Sequence, residues 1–100
     1  MKDKTSVSHD EVMVKKLRKS RRFAAEYLRA ALEDTDEPQV LLIALRQIAA
    51  ARGGIARIAK AAGIERESLY RALSSRGNPR LSTLFAVTRA MGLTLTVEPS

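Results

Sequence analysis

The chain of 100 residues contains no cysteine, no tryptophan and a single histidine, His9. Without cysteine there are no disulfides, thiolate zinc sites, iron–sulfur clusters or thiol nucleophiles. One imidazole does not make a metal site or a catalytic triad, so neither metal nor cofactor is expected. No run of about 18 apolar residues occurs, so no membrane-spanning helix is expected. Met1-Lys2-Asp3-Lys4-Thr5 lacks the apolar stretch of a secretory signal, and the expected compartment is the cytoplasm. Aromatics make up only 4% of the chain while alanine is abundant, a mixture that suits closely packed helices better than sheets. Negative charge is the scarcer sign: 11 Asp+Glu stand against 18 Lys+Arg, for a net charge of +7. That balance favours an anionic partner, nucleic acid before a membrane surface. The carboxylates are scattered over helix surfaces and no glycine-rich phosphate loop exists, so an enzyme is not expected.

What is present reads as helices. Residues 1–8 carry no periodicity and are expected to form a loose tail. Ser8-His9-Asp10-Glu11 has the form of a capping box, opening a helix over about 9–19 with Val12, Met13 and Leu17 on one face. A second helix is expected over about 21–34, with Ala24, Tyr27, Leu28 and Ala31 at helical spacing. Ser20 leaves open whether these are two helices or one. Pro38 suits the first turn of a helix over about 37–52, whose Leu41, Ala44, Leu45, Ile48 and Ala51 make it the most buried. Gly53-Gly54 ends it. Short helices then follow over 55–62 and 66–74, a loop at 75–79, and a last helix over 81–91 closed by Gly92. Leu93-Thr94-Leu95-Thr96-Val97 alternates strictly and reads as one short strand. A lone strand needs a partner, and a second copy of the chain is the economical one, which makes a homodimer through 93–97 the expectation.

Residues 55–74 carry the strongest signal, a helix-turn-helix. Two short helices crossing steeply need a small residue in the first, here Ala59, and a residue tolerant of positive φ in the turn, here Gly63. Ile58, Ala62, Ile64, Leu69 and Ala72 supply the apolar anchors. In this motif the second helix enters the major groove. Arg66 and Arg71 are suited to a guanine edge, Glu67 to cytosine, and Ser68 to a base or phosphate. Arg57, Lys60, Arg76, Asn78 and Arg80 flank that helix as candidate phosphate contacts, and Tyr70, on the helix itself, suits either a phosphate contact or packing in the core. Residues 55–80 hold six basic and two acidic side chains.

The chain also resembles the antidote proteins of bacterial toxin–antitoxin modules, the HigA-like group. The resemblance runs through Phe23-Ala24-Ala25-Glu26-Tyr27-Leu28, Ala59…Ala62-Gly63, Arg66-Glu67-Ser68-Leu69-Tyr70-Arg71-Ala72-Leu73-Ser74 and Gly77-Asn78-Pro79. It covers roughly residues 20–97. It implies an all-α, λ-repressor-like helix-turn-helix domain over 37–100, with an N-terminal helical extension over 1–36 and the one C-terminal strand. It further implies a dimer that binds double-stranded operator DNA, represses its own operon and neutralises a small toxin of the RelE/ParE/HigB type. The alternative is a helix-turn-helix regulator with no toxin partner. Relatives commonly cap the two motif helices with Ser or Thr; Ala56 and Glu65 stand at those places here. With the DNA contacts assigned to 55–80, the extension is the candidate toxin-binding segment. Its Glu26, Tyr27, Leu28, Glu33 and Asp34 would offer an apolar centre with an acidic rim to a basic toxin.

Overall fold

Ser8 opens the first helix as its spacing predicts. Its hydroxyl accepts from the Glu11 N–H at 3.0 Å, and its own N–H donates to the Glu11 carboxylate at 3.2 Å. The computed structural model describes residues 8–34 and 36–100, so the tail expected over 1–8 lies, except for Ser8, outside the described residues. Those residues form six helices: α1 (His9–Lys19), α2 (Arg21–Glu33), α3 (Pro38–Ala51), α4 (Ile55–Ala62), α5 (Arg66–Ala72) and α6 (Leu81–Ala90). Ser20 settles the open question between α1 and α2. Its backbone is extended (φ −141°, ψ 114°) and its hydroxyl accepts from the Phe23 N–H at 3.0 Å, so it ends one helix and caps the next.

α3 is the central element. Leu42, Ala44, Leu45, Ile48, Ala49 and Ala51 are all buried, as the breadth of its apolar stripe requires. α1 and α2 pack on one side of it, and α4 leads away to α5 and α6. Leu17, Ala24 and Leu28 share a single apolar cluster with Ile48, Ile58, Leu69, Leu73 and Val87. The core therefore crosses position 36 without a break. α1 and α2 reach α4 and α5 through α3.

One polar chain runs through this packing. The Tyr27 hydroxyl donates to Gln47 Oε1 at 2.5 Å, and Gln47 Nε2 donates to Asp10 Oδ1 at 2.7 Å. Gln47 is buried, and a buried amide left unpaired costs about 1–3 kcal/mol. Its two partners, one on α1 and one on α2, thus tie both helices to α3. Tyr27 also stacks on Phe23, with ring centroids 6.1 Å apart.

The C-terminal strand does not form. No strand occurs among the described residues. The Leu93 N–H turns back to the Thr88 carbonyl at 2.9 Å, closing α6 around Gly92 at φ 81°. Beyond it Leu93 and Leu95 pack against the core, and residues 93–96 line a groove with Ala25, Leu28, Arg29 and Leu32 of α2. The alternation reflects one-sided packing against a helix. An extended segment becomes a strand only when a second one bonds to its edge, and the described residues supply none.

Candidate nucleic-acid interface

α4 and α5 are set against each other by one glycine. Gly63 sits at φ 72°, ψ 30°, the left-handed conformation, and ends α4. The next amide, Ile64 N–H, reaches back to the Ala59 carbonyl at 2.9 Å, a six-to-one closure that turns the chain sharply. Ile58 and Ala59 of α4 and Leu69 and Leu73 after the turn are all buried, and Ile64 is partly so. α5 is thereby held by its apolar side and shows its polar side outward. From α3, the Arg46 guanidinium donates to the Leu73 carbonyl, satisfying a group that α5 leaves open at its C-terminus.

The caps differ from the expected ones. α4 starts at Ile55 with Gly54 (φ 102°) as its N-cap, so Ala56 lies inside the first turn rather than at the cap. Glu65 does cap α5, without a side-chain hydrogen bond to its backbone. Its carboxylate instead accepts from the Ser68 hydroxyl at 2.9 Å.

The exposed side of α5 presents Arg66, Glu67, Tyr70 and Arg71, with Ser68 half-buried between them. Arg66 and Glu67 form an open ion pair at 3.8 Å, a weak interaction that an incoming ligand displaces at little cost. Tyr70 is 54% exposed, so it is a surface side chain and no part of the core. Arg57 and Lys60 on α4, and Arg76, Asn78 and Arg80 in the segment after α5, are exposed as well. That segment is pinned by Gly77, whose N–H donates to the Ser74 carbonyl at 2.8 Å. A Cβ on Gly77 would stand 2.0 Å from the Ala72 carbonyl oxygen. Only glycine allows the loop to pass so close under α5 and carry Arg76 and Asn78 beside it.

A model of the protein family described as "Probable addiction module antidote protein" matches residues 9–99. The chain belongs to that family. A relative described as an uncharacterized protein of Haemophilus influenzae (strain ATCC 51907 / DSM 11121 / KW20 / Rd) is 43% identical over 74 residues, 74% of each chain. No solved structure matches. For an antidote family member, a cognate toxin is the implied partner, which directs attention to the candidate toxin contacts. Glu26, Glu33 and Asp34 are exposed. Leu28, 4% exposed, belongs to the core, and Tyr27 is taken up by Gln47 and Phe23. The exposed large apolar residue of α2 is instead Leu32.

Three residues of this architecture carry no conspicuous sequence signal. Gln47 and Arg46 sit within the apolar run of α3, and a polar residue inside such a stripe is the sign that a buried partner exists. Gly77 lies in a loop where glycine is ordinary, and only the distance to Ala72 shows why it is needed. Among the described residues no cluster of His, Cys, Asp and Glu suits a metal ion, and no helix is long and apolar enough to cross a membrane.

Proposed function

We propose that this antidote family member is a sequence-specific DNA-binding antitoxin, acting as a homodimer that represses its own operon and neutralises a RelE/ParE/HigB-type toxin. The observation that carries the DNA part is the α4–turn–α5 pair itself. Gly63 and the buried Leu69 and Leu73 fix α5 so that Arg66, Glu67, Ser68 and Arg71 project together as the base-reading set. Arg57, Lys60, Tyr70, Arg76, Asn78 and Arg80 form the phosphate-contacting surround. The toxin part rests on family membership, with the exposed carboxylates Glu26 and Glu33 of α2 and Asp34 at its C-cap as the rim that meets a basic toxin.

Binding to promoter DNA of the protein's own operon across a salt titration tests the first part. The logarithm of the binding constant should fall with the logarithm of salt, by about 0.9 per phosphate neutralised. Arg71→Ala should cost about 1–3 kcal/mol and relax preference at one position per half-site, whereas Lys60→Ala should weaken all sequences alike. Affinity indifferent to salt, or an Arg71→Ala protein with unaltered preference, refutes the assignment. For the toxin, removing residues 1–34 is the wrong tool, because Leu17, Ala24 and Leu28 would leave the core with them. Charge reversal at Glu26, Glu33 and Asp34 should instead abolish co-purification with the neighbouring gene product while operator binding persists.

A further inference from the structure

The densest positive charge in this protein is not on the helix-turn-helix. Lys15, Lys16, Arg18, Lys19, Arg21 and Arg22 put six cations into the eight positions from 15 to 22, with no carboxylate among them. All six are exposed, and among the described residues none takes part in an ion pair; the pair that occurs is Arg66–Glu67. We propose that this surface, the end of α1 and the start of α2, binds the phosphate backbone of duplex flanking the site read by α5. The proposal rests on the DNA-binding reading above and extends it to a second contact.

Helix stability accounts for only part of this cluster. Lys16, Arg18 and Lys19 lie in the last turn of α1, where cations complement the helix dipole. Arg21 and Arg22 lie in the first turn of α2, the positive end, where no acidic residue offsets them. Two arginines at a helix start, beside four further cations, repel each other and the dipole at once. The start of α2 gains nothing from that arrangement, though Arg21 also meets the negative end of α6; a polyanion gains from all six charges.

The composition of the patch selects the partner. Within 15–22 the one apolar residue is Leu17, which is fully buried. A protein interface is built around an apolar or aromatic centre, and an interfacial membrane helix needs bulky apolar side chains opposite its charges. This surface has neither. Phosphodiester contacts need only the charge and long flexible side chains.

Its position fits a flanking contact. The Arg21 guanidinium lies beside Gly92, immediately beyond the C-terminal end of α6, with Arg89 exposed one turn earlier. The other end of α6 begins at Arg80, a member of the helix-turn-helix surround. α6 has ten residues, which at 1.5 Å of rise separates the two basic surfaces by about 15 Å. Duplex DNA advances about 3.4 Å per base pair, so the separation corresponds to a few base pairs of flank.

The test compares wild type with a Lys15→Gln/Lys19→Gln/Arg22→Gln variant on two promoter duplexes, one trimmed to the core operator and one with native flanks. All three positions are exposed, and an unchanged melting temperature confirms that the variant is folded. Wild type should bind the flanked duplex about tenfold more tightly at low salt. The variant should bind both duplexes alike, with a salt slope shallower by about 0.9 for each phosphate it no longer neutralises. Arg71→Ala, in contrast, should lose sequence preference yet keep the gain from flanks. Wild type indifferent to duplex length, or a variant that retains the full gain, overturns the proposal and leaves the patch to solvent or an acidic protein. If wild type binds neither duplex, the helix-turn-helix reading fails together with it.

Discussion

Replacing Gly77 with alanine is a one-methyl change whose cost follows from distances in the structure. The added Cβ would lie 2.0 Å from the Ala72 carbonyl oxygen, 2.5 Å from its carbonyl carbon and 2.8 Å from the Arg71 carbonyl oxygen. All three atoms are backbone, so no rotamer change relieves the clash. The loop has to retreat by about 1.5 Å to regain a relaxed separation of about 3.5 Å. That retreat breaks the 2.8 Å bond from the Gly77 N–H to the Ser74 carbonyl, worth about 1 kcal/mol. Overpacking adds about 1–3 kcal/mol. At about 4–8 °C per kcal/mol for a chain of this size, the melting temperature should fall by about 8–32 °C. Gly54→Ala is the internal control. Its φ of 102° and ψ of 162° lie in a region that is essentially glycine's alone, but nothing lies within 4 Å of the new Cβ, so only the backbone penalty of about 1–3 kcal/mol applies. Thermal melting by circular dichroism reads both variants. Promoter binding measured well below either melting temperature should fall further for Gly77→Ala, because the displaced loop carries Arg76, Asn78 and Arg80. If Gly77→Ala melts within a few degrees of wild type, the close passage under α5 is not a constraint and the reasoning is wrong.

Two further perturbations address the polar chain across α1, α2 and α3. Burial, reinforced by the Asp10 carboxylate, raises the Tyr27 phenol above its ordinary pKa, so folding favours the neutral form. Its contribution is complete below the pKa of the unfolded phenol, about 10, and is lost as pH rises through the folded value. Melting temperature should therefore fall more steeply above pH ~10 in wild type than in Tyr27→Phe; parallel curves refute it. Gln47→Leu strips the partner from both Asp10 and Tyr27 and should destabilise by about 1–3 kcal/mol. In a double-mutant cycle with Tyr27→Phe the two effects should be less than additive, and strict additivity would show that the pair is not coupled.

Local chemistry made much of this protein legible before any packing was known. Ser8 with Glu11, Pro38, Gly63 and Gly92 act within a few residues of themselves, through caps and positive φ, and the helices begin or end beside them. The spacing of Ile58, Ala59, Leu69 and Leu73 was enough to mark two short helices sharing one side, because a 3.6-residue period records which side is buried. The exposed set on α5 follows by subtraction. What lay beyond the sequence depends on which distant surface covers which. Tyr27 and Leu28 have the same spacing whether their stripe meets a toxin or α3, and only the presence of Gln47 and the core cluster turned them inward. The alternation at 93–97 is common to a strand and to a tail lying on a helix. The choice fell to α2, whose groove accepts Leu93 and Leu95, and among the described residues no other segment offers an edge. Ser20 needed its own backbone angles to separate α1 from α2, since serine favours the place before a helix but also occurs within one. Gly77 is the clearest case of the division: composition marks its neighbourhood as a loop, but the necessity of glycine there arises from a carbonyl five residues away, brought near by the path of the chain.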